Sequence, residues 1–592
     1  MTSQRSAYLD VLKVIAIIAV VLFHSGFLKY GYLGVDVFLV LAGFLTTRSL
    51  DQTVWSSDVS DGERWYLSFI TNRVMRLLPV LLVAGFTAMI LGWFTMLPDD
   101  YENLGESVIA TNLFGNNSLA TITTGNYWET ANDYKPLMHT WYVGLLMQLY
   151  LVYPLLFCLA KLDKVAPRKT LVIIVSSLAV ISLLCYFGCT NEAHRFYYLP
   201  ARFFEFAVGG IIALVYDHSR GRIFHPAFSY SCYVLLLVLL VVDYDFIPTI
   251  VRLPLVVALS GVLIVSEDVL SNPVTSNSVL AKVGMASYSI FVWHQVLHAF
   301  YRYLIGKQFT VWSYLLYLAV VGLISWMSYQ WIEQKVAKVI KDDRGRRVLC
   351  FATLSLWLIL TGFAGFVYLN VGVVRDAPEL DVSMENRHRH MHAEYNERGY
   401  LYDRPFESKD KAHWLVIGDS FARDFVNTIL ESDVADQVEV SYVSDYSNPV
   451  IRERLAAADR VFFSERFLSR RGISAIEAQG WINGLTPDQI VVVGEKNFGE
   501  NNGHVYAKRH RPDYFDQTVE VEDGERFLSK NLRFKELYGD RFLDLMSLVT
   551  VGGDRVRVFT SDHHFISSDC RHLTRSGARY LAGLIDWEKY LD

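Results

Sequence analysis

The sequence predicts an α-helical polytopic membrane domain of about eleven spans, followed by an α/β domain with a doubly wound sheet. Three observations predict this. The chain of 592 residues is 52% hydrophobic and 14% aromatic, yet 20% of it is charged. Those averages hide a split near Val374. Before it, apolar runs recur at about the length that crosses a bilayer; after it, charge rises and the runs shorten to strand length. Finally, the short runs of the second half alternate with helical stretches, the pattern of a parallel sheet covered on both faces.

The apolar runs centre near residues 20, 39, 87, 149, 178, 209, 236, 258, 293, 321 and 359. The runs near 209 and 258 are the weakest. The division read from them is a membrane domain over 1–345, an additional span over 346–374, a linker over 375–411 and an outer domain over 412–592. Orientation follows from the basic residues of short loops. Arg48, Arg64, Arg73 and Arg76 lie between the second and third runs, and Lys161, Lys164, Arg168 and Lys169 follow the fourth. Arg220 and Arg222 follow the sixth, and a basic stretch from Lys335 to Arg347 follows the tenth. If the spans alternate, all of these fall on one side, which is then cytoplasmic. An odd number of crossings places the C-terminal domain outside the cell's inner or plasma membrane. The first run lacks a small-residue cleavage signal and reads as a retained span.

The formal net charge of −6 comes with no basic stripe, which argues against nucleic acid as a partner and leaves the lipid bilayer. Six cysteines at scattered positions form no disulfide framework. Three alternating histidines (His388, His390, His392) lack accompanying cysteines or carboxylates, so they read as part of a solvated linker rather than a metal site.

The stretch Tyr8–Arg48 carries the most chemistry. His24 follows an apolar run whose far end bears Lys13. The helical rise between them is about 16 Å, so a lysine at the headgroups places the histidine inside the hydrocarbon. An imidazole is costly there, and intramembrane histidines are functional candidates by default. After Lys13 and His24 come Gly34-Val35-Asp36-Val37-Phe38 and Gly43-Phe44-Leu45. This opening resembles membrane acyltransferase family 3, the bacterial envelope O-acyltransferases. The family usually has arginine where this chain has Lys13; lysine keeps the charge and loses the planar fork.

Further segments resemble the family in the same order. Arg73-Val74-Met75-Arg76-Leu77-Leu78-Pro79 places two arginines on one helix face. They read either as membrane anchors or as a cradle for the phosphates of coenzyme A, together with Lys13. Pro136-Leu137-Met138-His139-Thr140-Trp141 resembles the entry to the next span, but two glutamates common in the family are replaced here by Leu146 and Met147. Arg202-Phe203-Phe204-Glu205 predicts an ion pair within one helix. Ser287-Tyr288-Ser289, Trp293-His294, Ser325, Tyr329 and Glu333 complete the set, with His294 read as an ordinary polar residue of the bundle. The resemblance implies substrate contacts at Asp36, Trp141 and Arg202.

In the outer half, a short apolar strand runs into Gly418-Asp419-Ser420, and a helix follows. Ser420 then sits at a strand's carboxyl end and a helix N-terminus, where backbone N–H groups stabilise an oxyanion. Near the chain end, Asp569 and His572 form an Asp-x-x-His pair, able to orient and supply the imidazole that deprotonates a serine. Their order resembles the SGNH or GDSL esterases. The asparagine those enzymes bring to the oxyanion hole has no clean counterpart: the strand at Arg460 ends in Ser464-Glu465-Arg466, with Asn448 before it and Asn497 after the next.

The combination resembles enzymes that O-acetylate lipopolysaccharide O-antigen or peptidoglycan. It implies a donor substrate, acetyl-coenzyme A, held near Lys13, Arg73 and Arg76 rather than a tightly bound cofactor or metal. His24 would act as base or transient acyl acceptor. Ser420, His572 and Asp569 would pass the acyl group to an envelope polysaccharide hydroxyl. Two rival readings stand beside it: an envelope-glycan esterase, and an exporter or flippase of a lipid-linked glycan with an outer binding module.

Overall fold

The computed structural model describes residues 7–55, 62–123, 132–216, 224–242, 247–266, 279–373, 378–380, 395–445, 447 and 449–591. It divides into two compact units, Met1–Trp93 with Leu104–Phe366, and Phe94–Asn103 with Val367–Asp592. The division falls inside the last apolar helix rather than at 345 or 374, because the end of that helix and the short 94–103 segment pack with the C-terminal residues.

In the first unit a helix lies at each of the eleven expected positions. These are α1 (Ala7–His24), α2 (Gly34–Val54), α3 (Gly62–Thr95), α4 (Trp141–Ala160) and α5 (Pro167–Gly188). They continue with α6 (Leu199–Val215), α7 (Pro226–Val241), α8 (Thr249–Val265), α9 (Ser287–Leu304), α10 (Val311–Ser328) and α11 (Asp343–Leu369). Seven helical segments among the described residues, those holding α2 to α6, α10 and α11, are long and apolar enough to cross a membrane. The weak run near 209 is thus of spanning length, whereas α7 and α8 are apolar but shorter. A count of eleven crossings goes beyond these seven.

Small residues bring the helices together. A Cβ on Gly43 would overlap the Phe206 carbonyl, and one on Gly209 the Val40 carbonyl, so α2 and α6 meet backbone to backbone. Their contacts advance together along both chains (Asp36 with Arg202, Gly43 with Phe206), which makes the two helices parallel. In the same way α1 runs antiparallel to α2, because Gly31 meets Ala19 and Gly34 meets Ala16. It runs parallel to α9, because Gly284, just before α9, meets Asp10 and His294 meets His24. A five-residue π-helical turn, Tyr329–Glu333, follows α10. There Glu333 accepts a 2.5 Å hydrogen bond from the Ser289 hydroxyl.

The second unit is built on β1 (Ala412–Ile417), β2 (Val438–Val443), β3 (Arg460–Phe463), β4 (Ile490–Val493), β5 (Thr518–Glu520), β6 (Phe542–Leu543), β7 (Thr550–Gly552) and β8 (Arg555–Arg557). The main sheet is parallel in the order β2-β1-β3-β4-β6, and a small antiparallel sheet runs β5-β8-β7. Strand β1 is buried on both faces: Trp414 and Val416 join one core, Leu415 and Ile417 the other. Such a strand reads as a continuous apolar run rather than an alternating one. The strand order reverses at β1, and a crevice opens outside its carboxyl end. The expected linker 375–411 is folded from residue 395 onward; its three histidines lie outside the described residues.

Candidate active site

Each unit holds one constellation of functional groups. In the first unit, a cavity of about 670 Å³ is lined by His24, His139, Trp141, Arg202, Tyr32 and Phe196, among others. His24 is the last residue of α1, on the same helix as Lys13. The His24 ring lies 5.1 Å from that of His294, which lies 5.3 Å from that of His139. Three segments distant in sequence therefore bring three imidazoles together. His294, expected as an ordinary polar residue of the bundle, stands next to both other rings.

Two of the expected substrate residues, Trp141 and Arg202, line the same cavity, and the third, Asp36, meets Arg202. Arg202 makes the predicted pair with Glu205 at 2.8 Å and a second, unforeseen one with Asp36 at 2.5 Å. All three side chains are about 1% exposed or less. The guanidinium also faces the rings of Trp141 and Phe196 at 5.8 and 5.2 Å. A cation held between two carboxylates and two adjoining rings is fixed in direction, with its charge balanced by Asp36 and Glu205.

Lys13, Arg73 and Arg76 have separate surroundings. Lys13 closes on Asp10 at 3.0 Å, Arg73 packs 4.9 Å from the rings of both Phe69 and Tyr150, and Arg76 is exposed. Tyr150 lies two helical turns along α4 from Tyr142, whose ring meets Phe291 beside His294. Arg73 is therefore roughly 12 Å along the helix axis from the histidine level. Gln148, near the replaced glutamates, exchanges amide hydrogen bonds with Asn117.

The constellation of the second unit is a hydrogen-bonded chain. Gly418 ends β1 at φ 136°, a conformation that favours glycine, and a Cβ there would also overlap the Ser464 carbonyl. Asp419 caps the helix Ser420–Leu430 by accepting from Phe421 N–H at 2.9 Å, and its other oxygen accepts from Arg466 N–H at 2.9 Å. Those contacts aim Ser420 out of the strand end. At the other end of the unit, Asp569 Oδ1 accepts from the backbone N–H groups of Arg571 and His572 at 2.9 and 2.7 Å. The turn between them is made by Cys570 at φ 64°, and burial pushes its thiol up from the ordinary range. Asp569 Oδ2 then meets His572 Nδ1 at 2.6 Å, and His572 Nε2 lies 3.0 Å from Ser420 Oγ. A carboxylate accepts at Nδ1, so Nε2 is the basic nitrogen facing the serine hydroxyl.

Three supporting residues were not singled out in the sequence. Asp424, one turn beyond Ser420, accepts from Leu573 N–H at 3.1 Å and pairs with Lys496 at 2.8 Å, both side chains being buried. Asn396 donates at 2.7 Å to both Asp424 and the Ser420 carbonyl. The signal for them was weak: they lie in segments with no local motif, and only the fold brings them to the triad. Asn497 is held in its own turn, its amide nitrogen donating to the Glu522 carbonyl at 3.1 Å and its oxygen accepting from Gly499 N–H at 3.0 Å. Asn448 lies outside the described residues. Beside the serine, burial and the neighbouring Asp419 charge push the Glu465 carboxyl up to about 7.

Residues 6–330 match the family described as an acyltransferase domain, so this chain belongs to membrane acyltransferase family 3. It is similar over 370 residues, at 28% identity, to a protein of Komagataeibacter xylinus named as a membrane-bound transacylase, covering 60% of this chain and 91% of that one. It is similar to the peptidoglycan O-acetyltransferase OatA of Listeria monocytogenes at 27% identity, covering 56% of this chain and 55% of that protein. A Staphylococcus aureus protein named as an O-acetyltransferase is 24% identical, covering 62% of this chain and 63% of its own. The alignments thus span about half of the Listeria protein and somewhat under two thirds of the staphylococcal one. No solved structure matches the chain.

Proposed function

We propose that this acyltransferase moves an acyl group, acetyl by analogy with its relatives, from cytoplasmic acyl-coenzyme A to a hydroxyl of an envelope glycan, lipopolysaccharide O-antigen or peptidoglycan. The observation that carries the reading is the Ser420–His572–Asp569 hydrogen-bond chain in a polypeptide whose other half is an acyltransferase domain. The family supplies the membrane step, and the outer unit, read as SGNH-like, supplies a serine able to hold the group as an ester.

The donor would bind with its phosphates toward Lys13, Arg73 and Arg76 and its thioester in the cavity at His24. The offset of about 12 Å between Arg73 and the histidines supports a donor held lengthwise, its acyl end deepest. His24 works as the base that takes the proton of a carrier hydroxyl attacking the thioester carbon, with coenzyme A leaving as the thiol; Arg202, fixed by Asp36 and Glu205, presents a cation to the oxygen that gains charge. The acyl group then passes to Ser420, whose proton His572 takes, and a glycan hydroxyl receives it in a second step of the same kind.

The opposed requirements of donor and acceptor are met if the outer unit lies across the membrane from the N-terminus. Helix directions support this, because α1 parallel to α9 and α2 parallel to α6 fit regular alternation. The parity is the same whether the short pair α7 and α8 crosses or not. The test is transfer of labelled acetyl from acetyl-coenzyme A to peptidoglycan fragments or lipopolysaccharide by the full chain in proteoliposomes. An esterase, which the complete triad also favours, would release acetate from acetylated glycan and leave acetyl-coenzyme A untouched. An exporter needs neither Ser420 nor His572.

A further inference from the structure

His294 is buried at 0% exposure, and the transfer described so far does not use it. Its Nδ1 lies 3.1 Å from the Ile290 carbonyl oxygen. A carbonyl only accepts, so Nδ1 carries the hydrogen and Nε2 is left as a bare acceptor. That nitrogen has no hydrogen-bond partner among the described residues. The Tyr317 hydroxyl donates to the His294 carbonyl at 3.0 Å, so this turn of α9 is held from α10 as well. The ring stands beside His24, at a centroid separation of 5.1 Å, where ring nitrogens come within hydrogen-bond reach once His24 turns toward it.

We infer that His294 is a positioning residue and the proton partner of His24. This rests on the reading of His24 as the base that works on the donor thioester. The incoming hydroxyl oxygen bonds to the acyl carbon while its O–H bond breaks, and the proton goes to the cavity-facing nitrogen of His24. The hydrogen on the other His24 nitrogen moves to Nε2 of His294. When the tetrahedral adduct collapses, the C–S bond breaks and the proton returns through His24 to the departing sulfur, leaving an ester and a free thiol. A lone imidazolium in this cavity would be poorly solvated and would also feel Arg302, two turns farther along α9 and paired with Asp133 at 2.8 Å. Spreading the charge over two rings lowers that penalty. His139, 5.3 Å from His294, and the buried His298, one turn farther along α9, are the other imidazoles facing this pair.

The test compares wild type, His294→Ala, His294→Gln and His24→Ala as full chains in proteoliposomes, measuring thiol release from acetyl-coenzyme A. Glutamine retains the size and a hydrogen bond to the Ile290 carbonyl but takes up no proton. Both His294 variants should lose about 10²-fold in kcat with KM nearly unchanged, which a loss of cavity shape would not produce. Near-wild-type kcat in His294→Gln, or a loss confined to KM, would overturn the inference while His24→Ala remains inactive. An active His24→Ala protein would instead overturn the underlying reading of the membrane site.

Discussion

The two constellations are built differently. The outer one is a closed chain in which every link is a hydrogen bond of 2.6 to 3.0 Å, from Asp569 through His572 to Ser420. The membrane one is a ring of side chains around an open cavity, with its histidines 5.1 and 5.3 Å apart and its charges locked into Arg202, Asp36 and Glu205. A serine needs its base in permanent contact, because the hydroxyl belongs to the protein. A site that works on a diffusing donor leaves room for it, so its contacts form only in the complex. On the proposed function, the half with Ser420 brings its own nucleophile and the other half receives one.

Substitutions can break this comparison, the largest effect first. Ser420→Ala should lower glycan acetylation by roughly 10⁵-fold, because the nucleophile is lost. Thiol release from acetyl-coenzyme A by the membrane half should remain at least partly intact in the same preparation. Unchanged glycan acetylation would mean that the outer unit only positions the acceptor. Asp569→Asn should fall less, by about 10³-fold, since orientation is lost while serine and imidazole remain.

The same contrast explains what the sequence disclosed. Ser420 was legible because a glycine-aspartate-serine turn at a strand end is local, and Asp569 with His572 because three residues suffice to close their contact. The Arg202–Glu205 pair was legible for the same reason, one turn of helix. His139 and His294 stood in the sequence as polar residues within recognisable segments. Their meeting with His24 depends on how three helices pack, which no spacing encodes. Asp36 joined Arg202 only through the glycine-mediated approach of α2 and α6, and the 395–402 segment read as linker because its anchors, Tyr395, Asn396, Arg398 and Tyr400, have no periodic company.

Smaller effects sharpen the account of the outer unit. Asp424→Asn leaves the Lys496 charge buried without its counter-ion, and breaking such a pair destabilises by about 3 kcal/mol. Faster hydrogen exchange over Ser420–Leu430 in the full chain would report it; unchanged exchange would make the pair dispensable. Glu465 gives the smallest effect and a sign. Its folded carboxyl is pushed up to about 7 from 4.5, so between those values the folded state holds a proton that the unfolded chain has released. Stability contributed by the protonated group is therefore full below about 4.5 and lost as pH rises through 7. Protection of the Ser464–Leu468 backbone, corrected for intrinsic exchange, should drop from pH 5 to pH 8 in wild type and hold in Glu465→Gln.

The central claim is that one acyl group visits the membrane cavity and then the outer serine. Mass spectrometry of the full chain in proteoliposomes, after incubation with labelled acetyl-coenzyme A and no glycan, tests it most directly. The account predicts a labelled acetyl ester on Ser420 that is absent in His24→Ala. An ester that still forms on Ser420 in His24→Ala, or none on Ser420 in a wild-type protein that acetylates glycan, would contradict it.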